Sequence, residues 1–280
     1  MKIAFCLTFL LSAALAANIK ITPTVDSKDI EIPESFDART NWPECSKLIS
    51  EIADCGACDT EWAVAVASAA SDRRCIASGG SLQVPVSAAN LMSCCTQCGG
   101  DMKKAWNYWA KNGIVTGGRY QSDLGCIPYT ASMCDHFYQV RETECFNQFC
   151  IQPECTGTCA TKSGLNYTNE LTYGESRAET FETVEDIQRE ILQNGPVTAS
   201  IEKFVDFPFY REGIYYHASG KSIGGHSLRL LGWGTENNEA YWIAANAWNE
   251  DWGEKGIIRI RRGVNECNIE SGVYAAKPKL

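Results

Sequence analysis

Cysteine constrains this chain more than any other residue type. Of its 15 cysteines, Cys6 falls inside an N-terminal stretch with the form of a secretory leader, so fourteen remain for the folded part. An even, dense set of this kind suits an oxidising compartment and a disulfide framework. Zinc is the competing use of cysteine. The histidines are His136, His217 and His226, and none stands in a metal-ligand spacing, so no metal and no other cofactor is expected. The leader has Lys2, an apolar run from Ile3 to Leu15 and small residues for cleavage after Ala16 or Ala17. No later run reaches the roughly 20 apolar residues of a membrane-spanning helix. The chain is therefore expected to be exported, to the cell exterior or a lysosome-like compartment. Asn166-Tyr167-Thr168 is an N-glycosylation triplet in keeping with that route. The net charge of -9 argues against nucleic acid and anionic membranes as partners.

Periodicity divides the rest into two kinds of structure. Residues 18–31 are polar, and the Trp- and Cys-rich sequence begins at Ile32-Pro33. Ala and Val recur on every side of Glu61 to Arg74, which predicts a helix buried all round. Ser87 to Ser93, Lys103 to Asn112 and Val184 to Gln193 are further helices, the last two stopped by Gly113 and by Asn194-Gly195-Pro196. Strands are predicted at Val197 to Ile201, Ser227 to Trp233, Glu239 to Asn246 and Gly256 to Arg261. From Gly117 to Cys159 the chain reads as a loop that only covalent staples can hold. Helices first and strands second give an α+β class.

Several ordered blocks resemble the papain family of cysteine peptidases, and within it the cathepsin B-like branch. Ile32-Pro33-Glu34-Ser35-Phe36-Asp37-Ala38-Arg39 is similar to the family's mature N-terminus. The segment around Gly224-Gly225-His226-Ser227 resembles its histidine block, and Tyr241 to Trp248 its asparagine block. Cys126-Ile127-Pro128-Tyr129 with Cys134-Asp135-His136 and Cys145 looks like the occluding loop of that branch. The resemblance implies a two-lobed fold, with a helical lobe mostly over 45–165, the loop over 126–159, an antiparallel barrel-like lobe mostly over 166–280 and a cleft between them. Residues 1–17 would be the signal peptide, 18–31 a short pro-segment where the family has a long inhibitory one, and 32–280 the peptidase domain.

The family's chemistry uses a cysteine thiolate at a helix N-terminus, a histidine that moves the proton, an asparagine that orients the ring and a glutamine in the oxyanion hole. His226 and Asn246 match the second and third, and Trp248 the tryptophan that shields them. The nucleophile block departs. The family reads Asp-Gln-Gly-Ser-Cys-Gly-Ser-Cys-Trp-Ala, and this chain reads Asp54-Cys55-Gly56-Ala57-Cys58-Asp59-Thr60-Glu61-Trp62-Ala63. Without gaps, Glu61 takes the nucleophile position and Cys55 that of the oxyanion glutamine. A rival register stays open, because Cys55-Gly56-Ala57-Cys58 fits the family's Cys-Gly-[Ser/Ala]-Cys signature and would make Cys58 the nucleophile. That register inserts three residues before Trp62, which moves a sulfur roughly 4.5 Å along a helix axis.

Further substrate-cleft positions implied by the resemblance are Trp62, Gly99, Gly100, His136, Gly225 and Gly272. The family's Cys-Asn-Gly-Gly is here Cys98-Gly99-Gly100-Asp101, without the asparagine. The second loop histidine is Phe137, while His136, its anchor Asp54, and Asp251 are kept, with Arg141 one residue from where the last one's partner should stand. The acidic residue that selects basic side chains is replaced by Gly272. The implied disulfides are Cys45–Cys75, Cys58–Cys98, Cys94–Cys155, Cys126–Cys159 and Cys134–Cys145. Cys150 and Cys267 are left over, and Cys55 is expected to pair with Cys95. The function expected first is a non-catalytic, monomeric homologue that binds a peptide or protein in its cleft. The alternatives are an active cysteine peptidase using Cys58 or Cys55 with His226 and Asn246, and a structural or interaction protein with a vestigial cleft.

Overall fold

A computed structural model describes residues 30–280 except 138, 139, 142, 151, 152, 161 and 162. The expected leader and nearly all of the expected pro-segment lie outside the described residues. Ile32 to Leu280 form one compact unit.

Its helices are α1 (Ala38–Asn41), α2 (Ser46–Ile49), α3 (Glu61–Ala77), α4 (Ala88–Cys94), α5 (Met102–Asn112), α6 (Tyr167–Glu170) and α7 (Val184–Asn194). Side-chain caps set where several of them begin. Ser87 Oγ accepts the Asn90 N–H, Asp101 that of Lys104 and Thr183 that of Asp186, each satisfying a donor left open in the first helical turn. Glycines in the left-handed region end α5 and α7. At Gly195, with φ +97°, an added Cβ would lie 2.4 Å from Ile76 Cδ1. Helix α3 runs three residues past the expected Arg74, because the true stop is Ser78 followed by Gly79 and Gly80, both with positive φ.

As expected from its composition, α3 is buried on nearly every side, from Trp62 to Ala67 and from Ala69 to Cys75. The burial includes charged residues. Asp72 pairs with Arg229 at 2.7 Å, and Arg229 also donates to the Glu51 carbonyl at 2.8 Å. Arg73 pairs with Glu190 and donates to the carbonyls of Ala276 and Gly195 at 3.0 and 3.1 Å. These contacts pair charges that would be very costly to bury alone, although Asp72 Oδ1 is left without a hydrogen bond.

The strands are β1 (Phe36–Asp37), β2 (Ile114–Val115), β3 (Leu171–Gly174), β4 (Glu179–Phe181), β5 (Val197–Phe204), β6 (Ile214–Tyr215), β7 (Ser222–Glu236), β8 (Glu239–Ala245), β9 (Ile257–Arg261), β10 (Val273–Ala275) and β11 (Pro278–Lys279). Among the described residues, one sheet runs in the order β4-β10-β5-β7-β8-β9-β6, with β1 added along β7. Its pairs are antiparallel except β6 with β9. A smaller sheet orders β11-β3-β2. Helix α3 lies against β7, with α4 and α5 on its other sides. Strand β7 begins five residues before the expected Ser227, since pairing with β5 carries the Gly224-Gly225 stretch into the ladder. That pairing sets Ile201 opposite His226. The class is α+β, as the order of periodic segments requires.

Candidate active site

Glu61 is the first residue of α3, where the helix dipole favours a negative charge. His226 projects from β7, and Asn246 follows the last residue of β8. The packing of α3 on β7 brings the three side chains together. His226 Nε2 lies 2.7 Å from Asn246 Oδ1, and its Nδ1 lies 3.1 Å from Glu61 Oε1. Asn246 Oδ1 also accepts the Ala247 N–H at 2.8 Å, which fixes the oxygen toward the ring. Nε2 must therefore carry a hydrogen. At Nδ1 two acceptors would repel, so one proton is held between imidazole and carboxylate. Burial pushes the Glu61 carboxyl up. The hydrogen bond and charge of His226, its own backbone N–H and Lys203 outweigh this and hold it below the ordinary carboxylate range.

Aromatic rings enclose the pair. Trp248 sits 4.6 Å from the His226 ring and Phe207 5.5 Å from it, between centroids. Toward solvent lies a cavity of about 500 Å³ whose walls include Glu61, His136, Phe137, Lys203, Phe209 and Trp248. Lys203 Nζ stands over the Trp248 ring at 5.4 Å from its centroid. Lys203 and Phe209 are not legible from motif matching. Strand alternation would have found Lys203 once the register was known, because it stands two residues from Ile201, the partner of His226.

The sulfur atoms correct several expectations. Cys58 is bonded to Cys150, and Cys95 to Cys98, in place of the expected Cys58–Cys98 and Cys55–Cys95 pairs. A tight local turn explains the change. A turn in which the Cys98 N–H donates to the Cys95 carbonyl at 3.0 Å brings these two together, and closing so short a loop costs little chain entropy. Cys58 then takes the otherwise unassigned Cys150. As a disulfide sulfur it has no thiolate to offer as a nucleophile. Cys45–Cys75, Cys94–Cys155, Cys126–Cys159 and Cys134–Cys145 coincide with the implied pairs. Among the described residues, Cys55 and Cys267 are free. Cys55 is 2% exposed, and burial, with Glu61 and Asp54 adding to it, pushes its thiol well above the usual range. A thiol so disfavoured as thiolate is a poor nucleophile. Burial and Glu266 push Cys267 up to about 12.

The cysteine-rich loop is tied down by charge as well as sulfur. His136 Nε2 lies 2.9 Å from Asp54 Oδ1, and its ring stacks on Trp248 at 5.7 Å. Arg141 Nε meets Asp251 Oδ2 at 2.5 Å, so the one-residue offset still allows the pair. Phe137 packs 5.0 Å from Trp248. The remaining cleft positions do not line this cavity. Trp62 is buried in the core, and Gly99 and Gly100 form an exposed turn. Gly225 is paired with Glu202 in the sheet, and Gly272 accepts the Ser200 N–H at 3.0 Å. Asn166 is exposed and caps α6, its Oδ1 accepting the Thr168 N–H at 3.0 Å. No helix among the described residues is long and apolar enough to cross a membrane.

Comparison with known proteins gives a consistent picture. The pattern of the papain family cysteine proteases matches residues 32–277. Cathepsin B-like cysteine proteinase 6 of Caenorhabditis elegans is 44% identical over 261 residues, covering 90% of this chain and 68% of that protein. The cathepsin B-like cysteine proteinase of Schistosoma japonicum is 43% identical over 260 residues, covering 90% and 76%. Among solved structures, procathepsin B S9 from Trypanosoma congolense superimposes with a TM-score of 0.76 at 36% identity, covering 92% of this chain and 82% of that one. The chain belongs to the papain family of cysteine proteases and, within it, is cathepsin B-like.

Proposed function

We propose that this chain is a non-catalytic member of its family, in which Glu61 stands where the nucleophilic cysteine belongs, and that it acts by holding a peptide or protein segment in the cavity beside His226. One observation carries the reading. The acceptor facing His226 Nδ1 at 3.1 Å is a carboxylate oxygen, while neither nearby sulfur, of Cys58 or Cys55, is available as a thiolate. Attack by a carboxylate on an amide would give a mixed anhydride, uphill of the amide it came from. The position of the oxyanion glutamine holds a buried thiol, and loss of such a donor costs about 3 kcal/mol of transition-state stabilisation. What remains is ground-state recognition. The cavity joins aromatic walls to Lys203, a combination suited to a peptide with apolar side chains and a carboxylate. Export through the leader, and glycosylation at Asn166, belong to the same reading.

The test is paired. Wild-type protein is assayed with a fluorogenic dipeptide and with a thiol-reactive epoxide, and both are expected to be blank. The variant Glu61→Cys with Cys55→Gln is expected to gain epoxide labelling at residue 61 and measurable cleavage. Hydrolysis by wild type that stops on alkylation would overturn the proposal, as would a folded double variant that gains nothing.

A further inference from the structure

We propose that Asp54, Cys55 and His136 form a binding site for a zinc-type divalent cation. The inference concerns residues outside the Glu61–His226–Asn246 group and stands whether or not the chain hydrolyses peptides. One donor atom from each residue, the Asp54 carboxylate, the Cys55 sulfur and a His136 ring nitrogen, lies within 4.8 Å of the other two. All three side chains are almost sealed from solvent, with Cys55 2% exposed and the side chains of His136 and Asp54 8% and 4% exposed. Tetrahedral zinc with ligand distances of about 2.0–2.3 Å needs donors roughly 3.5 Å apart, so the sulfur has to close by up to about 1.3 Å while the His136 Nε2–Asp54 Oδ1 contact, 2.9 Å without metal, opens slightly to admit the ion.

The supporting shell is already in place. Asp54 Oδ2 accepts from Asn249 Nδ2 at 2.8 Å and from the Cys134 N–H at 3.2 Å, and Oδ1 accepts the Gly56 N–H at 2.7 Å. Stacking on Trp248 orients the His136 ring. The Cys55 backbone is fixed at both ends, its N–H donating to the Ala247 carbonyl and its carbonyl accepting from Tyr129 Oη, each at 2.9 Å. Such outer contacts are what hold metal ligands in position. A second convergence, His136 with Cys134 and Cys145, offers no thiolate because those cysteines are bonded to each other.

The donor set selects the metal. One sulfur, one imidazole and one carboxylate suit zinc or its spectroscopic substitute cobalt, whereas calcium and magnesium take oxygen ligands. Three protein ligands leave one coordination position, and the large cavity, whose walls include Cys55, Gly56 and His136, is where it opens. Binding forms a metal–sulfur bond as the Cys55 S–H bond breaks. Any hydrogen on the coordinating imidazole nitrogen also leaves it, and these protons pass to the buffer.

The experiment uses the full chain, stripped with a chelator and titrated with Co²⁺ and separately with Zn²⁺. One cobalt per chain is expected, with a thiolate-to-cobalt charge-transfer band in the near ultraviolet, and Zn²⁺ is expected to displace it. Cys55→Ser should abolish the band, His136→Gln, which removes a direct ligand, should weaken zinc binding by more than the about 10- to 100-fold that loss of an outer-shell partner costs, and Cys267→Ser should change neither. A readout in unsubstituted protein is protection of Cys55 from alkylation by bound zinc, located by peptide mass spectrometry. Absence of binding at micromolar metal, a band that survives Cys55→Ser, a band lost in Cys267→Ser, or Cys55 labelling that zinc does not slow would each overturn the site.

Discussion

Replacing Glu61 by Gln tests the shared proton between Glu61 and His226. The substitution keeps the shape and removes the charge. At 3.1 Å, two unit charges in a medium of effective dielectric 20 attract by about 5 kcal/mol, but both groups give up hydration to meet. The His226 side chain has no exposure and that of Glu61 has 15%, so solvent screens the pair little. A hydrogen bond to a charged partner nets about 1.5–3 kcal/mol, and the amide recovers part of it by donating to a neutral Nδ1. The expected loss at neutral pH is about 1–2 kcal/mol, read as a lower urea midpoint with an unchanged slope. The pH dependence gives the sign. Because the folded protein holds the Glu61 carboxyl below its ordinary value of 4.5, the stability it contributes is fully present above that value. It is lost as the pH falls through the lower folded value. The wild-type and Glu61→Gln curves should therefore converge on acidification. Equal midpoints at neutral pH, or a deficit as large in acid as at neutrality, would refute the shared-proton arrangement.

Three other outcomes are expected. Burial pushes the Asp72 carboxyl up to about 6 against the pull of Arg229, so its contribution to stability is fully present below 3.8 and lost as pH rises through about 6. Asp72→Asn should remove that component from the stability–pH curve, which a series of urea titrations across the window would show. Gly195→Ala places a Cβ 2.4 Å from Ile76 Cδ1 at φ +97° and should cost about 1–3 kcal/mol, seen as a lowered Tm. Phe137→His, at an exposed cavity position, should tighten binding of a peptide with a free C-terminal carboxylate and leave its C-terminal amide unaffected, measured by calorimetry. Equal gains for both peptides would count against a carboxylate clamp there.

How much was legible beforehand depended on whether the information was local. The Ala and Val pattern of α3 declares both a helix and its all-round burial. It does not declare the burial of Asp72 and Arg73, whose partners Arg229 and Glu190 stand more than a hundred residues away along the chain. Gly224-Gly225 reads as a strand boundary by local preference, and tertiary pairing with β5 overrides it. The Cys58–Cys98 disulfide implied by the family resemblance failed where a tight turn gave Cys98 a partner three residues back, Cys95. The donors of the proposed metal site are non-local in the same way. Asp54 and Cys55 are adjacent, but His136 comes from the loop folded back over them, so no local spacing announces the cluster.

The geometry also accounts for how a papain-like fold accommodates an acid at the head of its central helix. A thiolate and a carboxylate place the same formal charge at the same helix terminus and offer the histidine the same kind of acceptor. The Asn246 oxygen, fixed by the Ala247 N–H, orients the ring without regard to what faces its other nitrogen. In the proposed register, the electrostatic reasons for α3, β7 and the end of β8 to meet as they do are the same for a carboxylate as for a thiolate. On the proposed reading, what the exchange removes is the cysteine's attack on amides, because a carboxylate attacking an amide would form a mixed anhydride uphill of it. Binding energy in such a cleft can be retained while its differential use on the transition state is lost. On that argument, Glu61→Gln should disturb the cavity's electrostatics and stability without creating any hydrolysis, whereas Glu61→Cys should change chemistry while leaving the backbone arrangement of the site as it is.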